Sequence, residues 1–178
     1  FTLGGVFRLA SNKRPLLWLA TAAALRHTHG LDFRPVLFGS GPLEQDLRNS
    51  ASELGLADLE IITDTADPAV IYGDLDAMLL MSRVEGLPNV VLEAQASGVP
   101  VAACDVGGVS EALLQRGPGA GLLLDRDISA EGAADQIAPW LAQALTGSPG
   151  ARRAFVARSF APEAIAASAL SLYLGGTG

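Results

Sequence analysis

The chain has 178 residues, 49% of them apolar, and a formal charge of −7, enough for one domain with a sizeable core and tight for two. That composition is neither disordered nor fibrous, and its acidity argues against nucleic-acid binding and against a polybasic membrane patch, which both need a cationic surface. The single cysteine, Cys104, cannot close an internal disulfide and fits a reducing, cytoplasmic compartment, while no apolar run reaches the roughly 18 residues that a spanning helix needs.

Short apolar runs alternate with helical stretches along the whole chain. Residues 4–10 read as the first strand; opening at Phe1 on a core strand, the chain reads as a piece of something longer. A helix follows over 15–27, with Pro15 suited to its first turn and Gly30 to its exit. Residues 35–38 form a second strand ending in Gly39-Ser40-Gly41-Pro42, then a helix over 43–54 and a third strand over 59–63. A helical turn at 69–72 precedes the fourth strand, 77–81, which feeds a loop over 82–88 and a helix over 89–97. The fifth strand is expected at 100–104, a helix at 109–115 and the sixth strand at 121–124. Residues 129–174 read as two or three helices interrupted at 147–150 and at Pro162, and 175–178 as a frayed tail.

The runs at 78–81 and 121–124 are continuously apolar rather than alternating, as strands buried on both faces are, and such sheets are mostly parallel. Strand–helix alternation then predicts right-handed crossovers and one α/β domain, a Rossmann-like doubly wound parallel sheet. Ligands of such sheets lie at the carboxyl ends of the strands. The candidate loops are therefore 9–13, 39–42, 63–65 and 82–89, with 105–110 beside them.

The segment from Ser82 to Val101 carries the most information. A buried strand ends, a loop bearing Gly86 and Pro88 turns the chain, and a helix starts near Asn89. The first amides of that helix lack internal partners and carry the positive end of its dipole, which makes an anion site. Glu85 lies on the loop and Glu93 on the first or second helical turn, so both carboxylates can face one cleft. Either acid alone reads as an ordinary solvated residue; the pair in this setting points to ligand binding.

With Glu85-Gly86-Leu87-Pro88, Glu93-Ala94 and Gly98-Val99-Pro100-Val101, the stretch resembles the signature of the retaining GT-B glycosyltransferases called glycosyltransferase group 1. The resemblance runs from Gly4 to about Ala144. It implies the C-terminal, nucleotide-sugar-binding half of a GT-B fold over residues 1–178, with an N-terminal acceptor domain outside this chain. By the same resemblance Glu85 contacts hydroxyls of the transferred sugar and Glu93 the ribose diol of the nucleotide. The full enzyme would transfer a hexose from a UDP- or GDP-sugar to a hydroxyl acceptor, a sugar or lipid-linked sugar, with retention. Polysaccharide or glycoconjugate assembly is the expected setting, and membrane contact would come through the other domain.

A departing nucleoside diphosphate gathers negative charge that a metal or fixed cations must neutralise. Arg8-Leu9-Ala10-Ser11-Asn12-Lys13 resembles the family's Gly-Arg-Leu-x-x-x-Lys pattern, whose cations contact the diphosphate, although Phe7 stands where the family has Gly. Arg8 and Lys13 are thus expected to stabilise the leaving group without any metal cofactor. Gly39 and Gly41 resemble a turn that lets backbone approach the nucleotide, while Thr63 and Asp64 lie where relatives line the base pocket. Leu87, Pro88, Asn89 and Val90 would serve phosphate and sugar through main-chain amides, with Gly86 beside them as a further substrate-binding residue. Gly107 and Gly108, before Glu111, match a further family turn that could assist the diphosphate.

Asp74-Leu75-Asp76 precedes a strand and Asp125-Arg126-Asp127 reads as a turn, so neither is taken as a metal site. His27 and His29 suit a helix end, Cys104 reads as a small apolar filler, and Trp18 and Trp140 as core or interface residues. Two alternatives remain: a GT-B-like epimerase or phosphorylase, for which extra acids and histidines or a pyridoxal-bearing lysine would be expected, and a non-catalytic nucleotide-sugar-binding module, which would lack the two cations.

Overall fold

The computed structural model describes residues 1–64 and 67–161. Strands β1 (Thr2–Val6), β2 (Arg34–Phe38), β3 (Glu60–Ile62), β4 (Ala77–Leu80), β5 (Val101–Cys104) and β6 (Leu122–Leu124) pair in parallel throughout, in the order β3-β2-β1-β4-β5-β6. Among the described residues seven α-helices are interleaved with them: α1 (Pro15–His27), α2 (Glu44–Glu53), α3 (Pro68–Gly73), α4 (Asn89–Ser97), α5 (Val109–Ala112), α6 (Ala130–Ala144) and α7 (Pro149–Phe160). The sheet is the expected doubly wound, Rossmann-like α/β architecture. The expected helices beyond Pro162 and the tail at 175–178 lie outside the described residues.

Connections run outward to one side from β1 and to the other from β4. Right-handed crossovers therefore place the helices of the two halves on opposite faces: α1 packs with α2 and α6, and α4 with α3, α5 and α7. Trp18, Leu19 and Leu25 of α1 are fully buried, as are Ala133, Ala134 and Ile137 of α6, the helix it packs against. Burying each large apolar side chain contributes about 1.5–3 kcal/mol. The apolar run behaves as expected in β4, where every residue is buried, as every residue of β5 is too. In β6 the expectation fails: Leu122 and Leu123 are half-buried, because β6 is an edge strand with one neighbour.

Helices α1 and α4 occupy their expected spans. Pro15 starts α1, and Gly98 ends α4 in the left-handed conformation at φ 92°. The first strand is the largest shift, 2–6 against the expected 4–10: it ends at Val6, and residues 7–10 run out over the sheet edge before a 3-10 turn at Ser11–Lys13. Helix α5 is shorter than expected, stopping at Ala112. The buried amide of Gln95, from α4, donates to the Ala112 carbonyl at 2.6 Å and accepts from the Leu114 N–H at 2.8 Å, which pulls Leu113 into extended backbone. A side chain from another helix thus supplies the stop.

Candidate functional site

Neighbouring strands β1 and β4 feed connections that leave in opposite directions, so a crevice opens between the loops that follow them. The two loops are joined through backbone, where the Arg83 N–H donates to the Asn12 carbonyl at 2.8 Å. They are joined again through side chains. Lys13 Nζ, at the end of the 3-10 turn, donates to Glu85 Oε1 at 2.6 Å. Glu85 keeps only 9% of its side-chain surface and Lys13 23%, so the pair is partly shielded and stronger than an exposed one. The structure therefore brings together two of the sequence-selected residues, 72 positions apart. An ammonium has three N–H donors; one is engaged by Glu85 and two remain.

Arg14, which sequence reasoning passed over, anchors this corner. It is the single non-glycine residue at positive φ among the described residues, at 48°. From that position its guanidinium reaches three carbonyls: Nε to Met81 at 2.5 Å, one terminal nitrogen to Ser82 at 3.0 Å and the other to Arg126 at 2.8 Å. The turn carrying Lys13 is thereby tied to the end of β4 and to the turn after β6. No local pattern marks this role, since Lys13-Arg14-Pro15 reads as an ordinary helix entry. The Ser82 hydroxyl, fully buried beneath the same loop, has no hydrogen-bond partner among the described residues.

The loop bearing Glu85 is held from its other side by Gly107 and Gly108. A Cβ on Gly107 would stand 1.9 Å from the Glu85 carbonyl oxygen, and Gly107 sits at φ 55°, so both space and backbone require glycine there. The Gly108 N–H donates to the Gly86 carbonyl at 2.8 Å. Of the amides expected to assist a diphosphate in this turn, that of Gly108 is thus spent on holding the loop. Glu111 lies exposed in the first turn of the four-residue α5.

At the start of α4, Pro88 is the N-cap residue and gives no side-chain cap. Proline has no N–H, so the expected row of amides reduces to Leu87, Asn89 and Val90. None of these donates a hydrogen bond among the described residues, while the Pro88 carbonyl accepts from Val91 and Leu92. Leu87 is 47% exposed. The arrangement leaves unsatisfied donors and a positive dipole end beside Lys13.

Arg8 lies exposed just past β1 and makes no ion pair or hydrogen bond through its side chain among the described residues. Gly39 and Gly41 do make the close backbone approach that their sequence suggested, but to the neighbouring loop. A Cβ on Gly39, at φ 144°, would stand 2.1 Å from the Phe7 carbonyl oxygen, and one on Gly41 2.4 Å from that of Leu9. Thr63 and Asp64 are exposed beyond β3, two strands from the crevice. Between β3 and α3 opens a cleft of about 470 Å³ lined by Phe38, Ile62, Ala69, Val70, Gly73 and Asp74.

Glu93, on the second turn of α4, is not in the Lys13–Glu85 cluster. Its Oε2 accepts from the Tyr72 hydroxyl of α3 at 2.7 Å. Burial, followed by the Glu93 carboxylate, pushes ionisation of that phenol well above its usual range, so it is a hydrogen-bond donor at any working pH. The Asp-x-Asp pairs serve structure: Asp74 pairs with Arg34, Asp76 accepts from the Thr2 N–H, and Asp125 accepts from the Asp127 N–H in a local turn. Cys104 is buried, and burial raises its thiol above the ordinary value.

Residues 1–143 match the family described as glycosyl transferases group 1. Among curated relatives, the Vi polysaccharide biosynthesis protein VipC/TviE of Salmonella typhi is 36% identical over 115 residues, 64% of this chain and 20% of that protein. The chain thus spans about a fifth of that relative's length. The crystal structure of Anabaena Alr3699/HepE in complex with UDP is similar at TM-score 0.78 and 22% identity, covering 96% of this chain and 49% of that one. The C-terminal domain of the group 1 family protein LpcC from Francisella tularensis is similar at TM-score 0.72 and 21% identity, covering 89% of this chain and 85% of that one. These neighbours share the fold, the Rossmann-like half of a GT-B architecture.

Proposed function

The chain belongs to the glycosyl transferases group 1 family, and from that membership we propose that it is the donor-binding, C-terminal half of a two-domain GT-B hexosyltransferase. The whole enzyme transfers a hexose from a nucleotide diphosphate sugar to a hydroxyl acceptor with retention of configuration. The observation that carries this reading is the Lys13–Glu85 pair, which sets a cation and a carboxylate side by side in the crevice at 2.6 Å. Lys13, with two N–H donors to spare, binds the diphosphate, and Arg8 adds a second cation from the end of β1. The unsatisfied amides of Leu87, Asn89 and Val90 complete the anion site. Glu85, its position fixed by Lys13 and by the Gly107–Gly108 turn, accepts from hydroxyls of the transferred sugar.

As the bond from the anomeric carbon to the diphosphate breaks, its electron pair goes to the leaving phosphate oxygen, where fixed cations stabilise it. The acceptor oxygen attacks from the same face and its proton passes to that oxygen, so no enzymic nucleophile takes part and no metal is needed. The nucleoside extends from the crevice across the ends of β2 and β3. There Gly39, Gly41 and Thr63 border its path, the cleft lined by Phe38, Ile62, Ala69 and Val70 receives the base, and Glu93 accepts from the ribose. The acceptor, a sugar or lipid-linked sugar, is held by an N-terminal domain. The similarity to a polysaccharide biosynthesis protein supports polysaccharide assembly as the setting, and the neighbour solved with UDP makes UDP the first nucleotide to test.

Titration calorimetry of the chain with UDP, GDP and ADP, in chelator and again with added magnesium, tests this. One diphosphate is expected to bind, with the same affinity in both buffers, and the preferred base names the donor class. Binding that appears only with magnesium, or no binding of any of the three, overturns the proposal.

A further inference from the structure

Glu93 is an exposed carboxylate on a helix surface, and such side chains sample several rotamers unless something holds them. The Tyr72 hydroxyl holds this one at 2.7 Å. Tyr72 is itself 2% exposed, so its ring is fixed by packing between α3 and α4 and cannot follow Glu93 if the carboxylate turns. The phenol donates its one proton to Oε2, which restrains the carboxylate at that oxygen; Oε1 accepts nothing from the described residues. A carboxylate oriented in this way presents its open acceptor sites in one direction, as two neighbouring hydroxyls require.

Helix α3 also faces the nucleotide path on its other side. Ala69, Val70 and Gly73 line the open cleft at the ends of β2 and β3, while Tyr72 of the same helix reaches Glu93. One short element therefore borders the space assigned to the base and fixes the acid assigned to the sugar attached to it. We propose that Tyr72 is a positioning residue that orients Glu93 for the ribose diol, and that through it the chain distinguishes ribonucleoside diphosphates from their 2′-deoxy counterparts. This rests on the reading of Glu93 as the ribose ligand.

The test compares the affinities of UDP and 2′-deoxy-UDP (or the same pair for whichever base binds) in the unaltered chain, Tyr72→Phe and Glu93→Ala. Loss of a charge-assisted hydrogen bond costs on the order of tenfold in affinity, so the unaltered chain is expected to prefer UDP by about that factor. Glu93→Ala should bring the ratio near one. Tyr72→Phe keeps the ring and its packing, so 2′-deoxy-UDP, which retains one of the two hydroxyls, should weaken less than UDP and the preference for UDP should fall roughly threefold, part of that one bond. A Tyr72→Phe chain that keeps the full preference while Glu93→Ala loses it overturns the role of Tyr72. Equal weakening of both nucleotides by Tyr72→Phe also overturns it, since that is the signature of a packing role alone. An unaltered chain without preference, or a Glu93→Ala chain that keeps it, overturns the ribose assignment beneath.

Discussion

Lys13→Met separates the two jobs that the crevice gives to this residue. Methionine keeps the length and apolar stem but removes the charge and all three N–H donors. In the unaltered chain one donor is engaged by Glu85 at 2.6 Å, leaving at most two for phosphate. A hydrogen bond to a charged group contributes about 1.5–3 kcal/mol. Lys13 is already partly satisfied by Glu85 before ligand arrives, so the net loss should be close to one such bond, about 2 kcal/mol or roughly 30-fold in affinity for UDP. Uridine, which lacks phosphate, should bind as before, with calorimetry for UDP and competition for uridine as the readouts. The substitution also strips a carboxylate with 9% exposure of its partner, at a cost of about 1–3 kcal/mol to folding. That second effect appears in thermal unfolding and is shared by both ligands. Lys13 is moreover the only lysine in the chain, so an amine-directed reagent should label it and the α-amino group alone, with UDP protecting Lys13. Equal weakening of uridine and UDP, or labelling that UDP does not slow, would refute the reasoning.

Gly107→Ala forces a methyl to within 1.9 Å of the Glu85 carbonyl at a positive φ, whereas Gly117→Ala meets nothing within 4 Å. The first should cost more than about 2 kcal/mol and weaken UDP-sugar binding, the second only about 1 kcal/mol of backbone strain, read by calorimetric unfolding; equal losses would show that the clash with Glu85 is unimportant. Arg14→Gly relieves a left-handed φ worth about 1 kcal/mol but removes three hydrogen bonds to carbonyls. The net should be a destabilisation of about 2 kcal/mol and a melting temperature lower by roughly 4–8 °C, and a stabilised variant contradicts the anchoring role. Because burial raises the Cys104 thiol, the thiolate is scarce in the folded state at pH 8, and alkylation should proceed only at the rate of unfolding; rapid labelling of the native chain would place Cys104 at the surface.

What sequence alone can decide here is whatever rests on neighbours a few residues apart. Pro15 at the first turn of α1 and left-handed Gly98 behind α4 act through their own backbone, so these helices fall where local pattern puts them. The apolar run of β4 announces a sheet covered on both faces for the same reason. Two of the residues singled out, Lys13 and Glu85, prove to be partners because the topology sets β1 beside β4, an adjacency that strand–helix alternation only narrows to a few orders.

The remainder depends on contacts between residues far apart in the chain, which no local pattern encodes. The stop of α5 comes from Gln95 on α4, and the half-burial of Leu122 and Leu123 comes from β6 having no outer strand among the described residues. That Gly39 and Gly41 make room for the backbone of Phe7 and Leu9 is likewise visible only in the packing. Arg14 and Tyr72 carry no motif; each acquires its role from a carbonyl or carboxylate delivered by another element. Side-chain chemistry and the ends of α1 and α4 were thus written in the order of residues, whereas which donor meets which acceptor was settled by the folding of the sheet, since hydrogen bonds act over about 3 Å and the partners lie tens of residues apart.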